Sequence, residues 1–357
     1  MKKIVLNAGG TGGHFFPAIA LGEELTKRGY PVHLITDKRC EKYLTPEIKF
    51  SVKIIDLKLN AGSVQSKLIS CMKIMFSTLK ALVYLVKLRP CIVVNFGGYP
   101  TIPAAASAVL LNIPTIIHEQ NSFLGETNRF FVKFAKVVAL SYTEASFVRE
   151  SRQELLITGN VVRSSIKNLV PKDNFESPVF RILVTGGSQS AKIFSTLIPE
   201  AMSELLKLGP NIKLQVTQQA SKDTHENIGE IYSNLGISYK LSDFFHNMEK
   251  EYDNAELIIC RAGASTIAEL SQVGLPAIFI PYPYAADNHQ FLNAKVLEGN
   301  GASWCMQQDL VTPLILAIKI HELSDNREML RVASVELRKR KCDGVKILAD
   351  TVEKIIS

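Results

Sequence analysis

Ile4-Val5-Leu6-Asn7-Ala8-Gly9-Gly10-Thr11-Gly12-Gly13-His14 opens the chain, and Arg181-Ile182-Leu183-Val184-Thr185-Gly186-Gly187-Ser188-Gln189 repeats its plan. In each copy a short β-rich run meets glycines and then an apolar helical period, 17–25 in the first and 191–208 in the second, which predicts strand, tight turn and helix. The first half adds strand-like runs at 32–36, 91–96, 115–117, 137–140 and 155–158, with helical segments at 67–88, 101–111 and 143–149. The second half adds strands near 212–217, 237–241, 257–260 and 277–280, and a mostly helical close over 312–356. Apolar strands that do not alternate, separated by helices, indicate an α/β fold with parallel, doubly wound sheets.

The length of 357 residues suits two domains. The polar, proline-bearing stretch 169–178 has the composition of a linker, so we expect domains at 1–165 and 166–340 and a C-terminal helical segment at 341–357. Hydrophobic residues make up 46% and charged residues 21%, too apolar for disorder and too interrupted for a polytopic membrane protein. The balance of 41 basic and 34 acidic residues leaves +7, which favours an anionic partner. The six cysteines form no C-x-x-C pair, which is reduced, cytosolic usage. No export signal is expected, because the apolar run from Ile4 breaks at Gly9.

Glycine turns between strand and helix let backbone N–H groups approach an anion at the positive end of the helix dipole. The first turn fits neither the dinucleotide nor the P-loop pattern and the second lacks the P-loop lysine, so dehydrogenase and NTPase readings are weak. His14 begins the helix beside the crevice where open α/β sheets bind ligands, and is a candidate general base. His118-Glu119-Gln120-Asn121 follows another buried strand. Cys260-Arg261-Ala262-Gly263-Ala264-Ser265-Thr266 offers donors at a helix start and Glu269 a carboxylate for ribose hydroxyls, while Asp287-Asn288-His289-Gln290 lies at the next junction. No D-x-D or G-x-S-x-G occurs. A nucleoside diphosphate leaving without a metal needs helix N-termini and a cation, and Arg163 is the candidate.

Between Asp56 and Glu119 there is no acidic residue. Lys73, Lys80 and Lys87 recur every seven residues beside Ile69, Met72, Phe76, Leu79 and Val83, giving a helix with a lysine stripe along an apolar ridge. Such a helix suits an anionic bilayer surface. A transmembrane span is disfavoured, since each central lysine costs roughly 2.5–3.5 kcal/mol. An ordinary core-packing helix with a solvated lysine face is the alternative reading.

Taken together, these motifs resemble the MurG family, the N-acetylglucosaminyltransferases of peptidoglycan synthesis. The marks, spread over nearly the whole chain, are Gly9 to His14, Gly97-Gly98-Tyr99, His118-Glu119-Gln120-Asn121, Gly159-Asn160 with Arg163, Gly186-Gly187-Ser188-Gln189, Arg261 to Glu269, and Asp287 to Gln290 with Asn293-Ala294. The resemblance implies the GT-B architecture of two Rossmann-like domains facing across a cleft, the first taking the acceptor and membrane, the second the UDP-sugar, with 341–357 packing back on the first. It implies inverting, metal-independent transfer from UDP-N-acetylglucosamine to the 4-hydroxyl of undecaprenyl-diphosphate-linked N-acetylmuramyl-pentapeptide.

By matching positions, Ser188, Ala264, Ser265 and Thr266 would contact diphosphate and uridine, Glu269 the ribose, and the backbone at Phe245 the uracil. Asn121 and Gln290 would hold the N-acetylglucosamine and Arg163 the leaving diphosphate. Thr11, Gly12, Gly13 and Tyr99 would receive the acceptor, with His14 as base and Glu119 as second candidate. A membrane patch would comprise Ile69, Phe76, Leu79 and Leu110 with Lys73 and Lys80, Lys73 replacing an apolar residue and making the patch more electrostatic. Ser190 replaces a usual glycine and Val161 a usual proline. The expected partners are UDP-N-acetylglucosamine, the lipid-linked acceptor and an anionic membrane surface, with no nucleic acid, no cofactor and no metal. The expected location is peripheral, on the cytoplasmic face of the inner membrane. A UDP-N-acetylglucosamine 2-epimerase, a small-molecule GT-B glycosyltransferase and a non-catalytic nucleotide-sugar scaffold are the competing classes.

Overall fold

The computed structural model describes residues 2–59, 64–142, 153–170, 173, 175–187, 192–285 and 288–357. The chain forms two compact units, Met1–Arg163 with Cys342–Ser357, and Ser164–Lys341.

The first unit holds β1 (Ile4–Asn7), β2 (Val32–Thr36), β3 (Ser51–Ile54), β4 (Ile92–Asn95), β5 (Thr115–Glu119), β6 (Val137–Leu140) and β7 (Glu154–Ile157) in the order β3-β2-β1-β4-β5-β6-β7. Every pair is parallel. Helices α1 (Gly12–Lys27), α2 (Val64–Leu88), α3 (Ile102–Leu110) and α4 (Glu126–Phe131) connect them. β1, β4, β5 and β6 are buried at every position, so both faces of the sheet are covered, which explains why apolar residues follow one another without alternation in β1, β4 and β6. The strand order reverses between β1 and β4, and ligands of open α/β sheets bind beyond the strand C-termini at such a fork.

The second unit repeats the plan with β8 (Phe180–Thr185), β9 (Leu214–Gln219), β10 (Ser238–Ser242), β11 (Leu257–Cys260), β12 (Ala277–Phe279) and β13 (Ser303–Cys305), ordered β10-β9-β8-β11-β12-β13. All of these pairs are parallel too. Its helices are α5 (Ser164–Lys167), α6 (Phe194–Leu208), α7 (His225–Asn234), α8 (Met248–Asn254), α9 (Ala264–Val273), α10 (His289–Glu298), α11 (Pro313–Asp325) and α12 (Arg327–Arg338). Its fork lies between β8 and β11.

The last helix, α13 (Gly344–Ile356), belongs to the first unit. It buries Leu348, Ala349 and Val352. Arg28, at the end of α1, binds Asp350 at 2.6 Å and Glu353 at 2.7 Å, with Glu24 at 2.8 Å on its Nε. Gly344 sits where an added Cβ would be 2.5 Å from the Asn160 carbonyl oxygen, so glycine is needed for this close approach.

Several expectations shift. The polar stretch 169–178 is no free tether: Phe175 joins the second unit's core and Asp173 pairs with Arg338 at 2.6 Å. The division instead falls between Arg163 and Ser164. Strands β3 and β13 and helix α4 escape the sequence reading because they are short and their apolar content is low or interrupted. The helical segment expected at 143–149 lies outside the described residues.

Candidate functional site

In the first unit, the loops after β1 and β4 are tied together at the fork. Asn7, the last residue of β1, donates from Nδ2 to Asn95 Oδ1 at 2.6 Å and to the Thr101 carbonyl at 2.9 Å, and the Thr101 hydroxyl donates to the Gly98 carbonyl at 2.7 Å. Gly98 has φ of +82°, and an added Cβ would lie 2.8 Å from the Gly9 carbonyl oxygen and 3.2 Å from His14 Cδ2. Only glycine fits both the conformation and the space.

His14 stands in the first turn of α1. Its Nδ1 lies 2.8 Å from the Phe96 carbonyl and 3.1 Å from Gln120 Oε1. A carbonyl oxygen only accepts, so Nδ1 carries a hydrogen, and in the neutral imidazole the lone pair is then on Nε2. Gln120 is oriented in turn, its Nε2 donating to His118 Nδ1 at 3.2 Å while His118 Nε2 donates to the Gly159 carbonyl at 3.4 Å. Burial pushes the His118 pKa down to about 4, so this imidazole is neutral near pH 7.

On the other side of the glycine turn, buried Asp37 accepts from the Gly10 N–H at 2.9 Å and from Arg39 Nε at 2.5 Å. The Arg39 guanidinium carbon lies over the Tyr99 ring, 4.6 Å from its centroid. One loop donor is thus satisfied internally, while the N–H groups of Thr11 and Gly12 take no protein acceptor among the described residues. Arg163 lies over the Phe16 ring at 4.7 Å.

Glu119 is 1% exposed. Its Oε1 accepts from the Asn121 N–H at 3.0 Å and Nδ2 at 3.1 Å, and its Oε2 from the Gly125 N–H at 3.0 Å and Asn128 Nδ2 at 2.8 Å. Four donors occupy a carboxylate with about four lone-pair sites, which suits it to anchoring the 121–125 turn and not to taking a proton from a substrate. The geometry therefore argues against Glu119 as a base. Asn121, its Nδ2 committed to Glu119, has an Oδ1 with no protein donor among the described residues.

In the second unit, α9 begins just beyond β11, and the Ala264 and Thr266 N–H groups at its start take no protein acceptor among the described residues. Glu269 is buried on the following turn, and the Tyr252 hydroxyl donates to its Oε2 at 2.9 Å. Arg261 donates to the Ile280 carbonyl at 2.9 Å, the Pro281 carbonyl at 3.0 Å and Gln308 Oε1 at 2.6 Å. Burial pulls its pKa below the ordinary arginine value. It clamps the turn from which the Tyr282 N–H donates to Gln290 Oε1 at 3.0 Å, leaving the Gln290 amide nitrogen as a donor for a ligand. Asn293 Nδ2 donates to the Ala262 carbonyl at 3.3 Å, joining α10 to the same loop. The loop at Phe245 is held by Ser242, whose hydroxyl donates to the Phe244 carbonyl at 2.8 Å, and by Gln219 Nε2 to the Asp243 carbonyl at 3.1 Å. Gln219 Oε1 also accepts the Gly186 N–H at 3.2 Å, so that glycine is not open to a ligand.

Among the described residues, no three His, Cys, Asp or Glu side chains gather closely enough to hold a metal ion.

Two sequence profiles match, the glycosyltransferase family 28 N-terminal domain over residues 4–140 and its C-terminal domain over 181–347. A protein of Rickettsia bellii is 48% identical over 360 residues and one of Rickettsia canadensis 46% identical over 361, each alignment covering 100% of both chains. Both are named UDP-N-acetylglucosamine–N-acetylmuramyl-(pentapeptide) pyrophosphoryl-undecaprenol N-acetylglucosamine transferase. The crystal structure of Acinetobacter baumannii MurG superposes with a TM-score of 0.79 at 30% identity, over 99% of this chain and 100% of that one. The chain belongs to the MurG family. The calicheamicin glycosyltransferase CalG4, at 12% identity and a TM-score of 0.69 over 100% of this chain and 98% of that one, shares the fold. This MurG-family chain is a glycosyltransferase, and both its units carry the Rossmann-like parallel sheets of the GT-B class.

Within the MurG-family framework, the first unit gathers Thr11, Gly12, Gly13, His14, Tyr99 and Asn121 around one fork, while the second places Ala264, Ser265, Thr266, Glu269 and Gln290 on the elements after β11 and β12. Ser188 and Asp287 lie outside the described residues. Asp37, Arg39 and Tyr252 escaped the sequence reading. Asp37 and Arg39 directly follow β2, and polar residues just beyond a buried strand were the available signal; Tyr252 has none, since only the fold brings it to Glu269.

Helix α2 divides into two faces. Ser70, Ser77, Ala81, Leu85 and Leu88 point inward, with Ala81, Leu85 and Leu88 in the core shared with α3. Ile69, Met72, Phe76, Leu79, Val83 and Val86 are exposed at alternating spacings of three and four, joined by Leu68, Met75 and, on α3, Leu110. Lys80 Nζ lies 4.4 Å from the Phe76 ring centroid. The segment Ser66–Leu88 is long and apolar enough to cross a membrane by length and composition, but its inward face is docked on the protein.

Proposed function

We propose that this enzyme transfers N-acetylglucosamine from UDP-N-acetylglucosamine to the 4-hydroxyl of undecaprenyl-diphosphate-linked N-acetylmuramyl-pentapeptide, with inversion at the anomeric carbon and without a metal ion. The observation that carries the reading is the His14 tautomer. Its Nδ1–H is held by the Phe96 carbonyl, so Nε2 is the basic atom, placed beside a glycine turn at the sheet fork. Nε2 takes the proton of the acceptor hydroxyl, the oxygen bonds to the anomeric carbon, and the bond from that carbon to the UDP oxygen breaks.

In this reading the acceptor diphosphate lies at Thr11, Gly12 and Gly13. The Ala264, Ser265 and Thr266 backbone, with Ser188, receives the UDP diphosphate, Glu269 the ribose and the Phe245 backbone the uracil. Within the second unit, Gln290 offers a donor to the N-acetylglucosamine. Charge on the departing UDP meets the N-terminus of helix α9. The apolar α2 face with Leu110, edged by Lys73 and Lys80, rests on an anionic bilayer, which makes the enzyme peripheral on the cytoplasmic face of the inner membrane.

The test is UDP release by purified enzyme with both substrates, against Glu269→Ala and His14→Ala, with proton NMR of the product. Acceptor-dependent release, a β linkage and insensitivity to EDTA are expected. No release above the Glu269→Ala control would sink the proposal, and turnover of the nucleotide sugar without acceptor would favour an epimerase.

A further inference from the structure

We propose that Arg39 grips the diphosphate of the lipid-linked acceptor, with Asp37 and Tyr99 as its positioning residues; this rests on the reading that the first glycine turn receives that acceptor. Arg39 spends one nitrogen, Nε, on Asp37. Its two terminal nitrogens take no hydrogen-bond partner among the described residues, and its side chain is 44% exposed. A guanidinium serving only to neutralise Asp37 has no need of the other constraints on it. Its Cζ lies 4.6 Å over the Tyr99 ring centroid, and its Nη2 lies 3.4 Å from where a Cβ on Gly10 would stand. The forked end is therefore held over the glycine turn, on the same turn as the unpartnered N–H groups of Thr11 and Gly12.

A planar fork with fixed donors matches two oxygens of a phosphate, and stacking on an aromatic ring removes the rotamer freedom that binding would otherwise have to restrict. Asp37 sets the direction of that fork. It also accepts the Gly10 N–H, so one carboxylate fixes both the turn and the cation above it. In this arrangement the Tyr99 ring acts through Arg39 and needs no direct contact with the acceptor.

The test is initial-rate kinetics with a short-chain lipid-linked acceptor, varying each substrate while the other saturates, and with inorganic pyrophosphate as a probe. Arg39→Gln should raise the acceptor KM about 10- to 100-fold, the span of a lost charge-assisted hydrogen bond, and leave the UDP-N-acetylglucosamine KM within about twofold. Arg39→Lys, which keeps a charge beside Asp37, should fall between, as should Tyr99→Leu, while Tyr99→Phe retains the stacking and the acceptor KM. Pyrophosphate should compete with the acceptor in the unmodified enzyme and lose potency in Arg39→Gln. Equal rises in both KM values, or unchanged pyrophosphate inhibition in Arg39→Gln, would overturn the role of Arg39 alone. Absence of competition in the unmodified enzyme would overturn the acceptor reading on which it rests.

Discussion

Replacing Phe76 by serine should detach the enzyme from anionic membranes without unfolding it. Phe76 is 58% exposed, and a phenylalanine presenting about 200 Å² therefore leaves roughly 115 Å² to solvent. At about 25 cal/mol per Å², full immersion of that area would contribute ~3 kcal/mol, and half immersion ~1.5 kcal/mol. The expected loss in vesicle partitioning is about 10- to 100-fold. Lys80→Gln, removing the cation beside the same ring, should cost about 1 kcal/mol, and only at low salt. Co-sedimentation with vesicles of anionic lipid, compared with zwitterionic vesicles, reads both effects. Leu85→Ala is the internal contrast: buried on the opposite face of α2, it should lower folding stability by about 2–5 kcal/mol and leave the partitioning of the folded protein unchanged. The reasoning is refuted if Phe76→Ser binds anionic vesicles as tightly as the unmodified protein while remaining folded by circular dichroism.

Three further outcomes follow from the buried polar groups. Glu119→Gln replaces a four-donor acceptor with an amide that accepts at only one end, so the melting temperature should fall by several degrees together with activity; loss of activity at an unchanged melting temperature would restore Glu119 as a chemical participant. Tyr252→Phe removes the donor to Glu269, and the UDP-N-acetylglucosamine KM should rise about 3- to 10-fold with the acceptor KM unaffected, which steady-state kinetics would contradict if both moved. His118 has its pKa lowered to about 4 by burial, so between its unfolded value near 6.5 and that folded value the unfolded chain binds more protons. Its contribution is therefore fully present above pH 6.5 and lost as pH falls toward 4, with a slope approaching ~1.4 kcal/mol per pH unit; denaturant titrations of His118→Asn should show a flatter profile over that window, and an unchanged slope would exclude this residue as the cause.

The repeated strand–glycine–helix plan was legible because it depends on local physics. A strand buried on both faces must be apolar at successive positions, and the tight turn after it needs glycine, so β1, β4, β8 and β11 and the turns at Gly9-Gly10 and Gly186-Gly187 could be read from neighbouring residues alone. The same holds for α2, whose two faces follow from a helical period. His14 was likewise legible as a residue at a helix start, but its protonated nitrogen was not, because Phe96 and Gln120 lie 82 and 106 residues away.

Sequence position by itself therefore determined the fold class, the glycine turns and the residue types offered at the strand ends. Tertiary structure decided which of those residues are already committed to protein partners. Glu119, the second candidate base in the sequence, has its carboxylate engaged by Asn121, Gly125 and Asn128, while Arg39, which carried no signal in the sequence, is held by Asp37 and Tyr99. The polar stretch 169–178 has the composition of a linker, yet Phe175 within it enters a core. The physical reason is the same in each case: a side chain's chemistry depends on its remaining donors, acceptors and solvent, and those are set by neighbours that only the folded chain brings within a few ångströms.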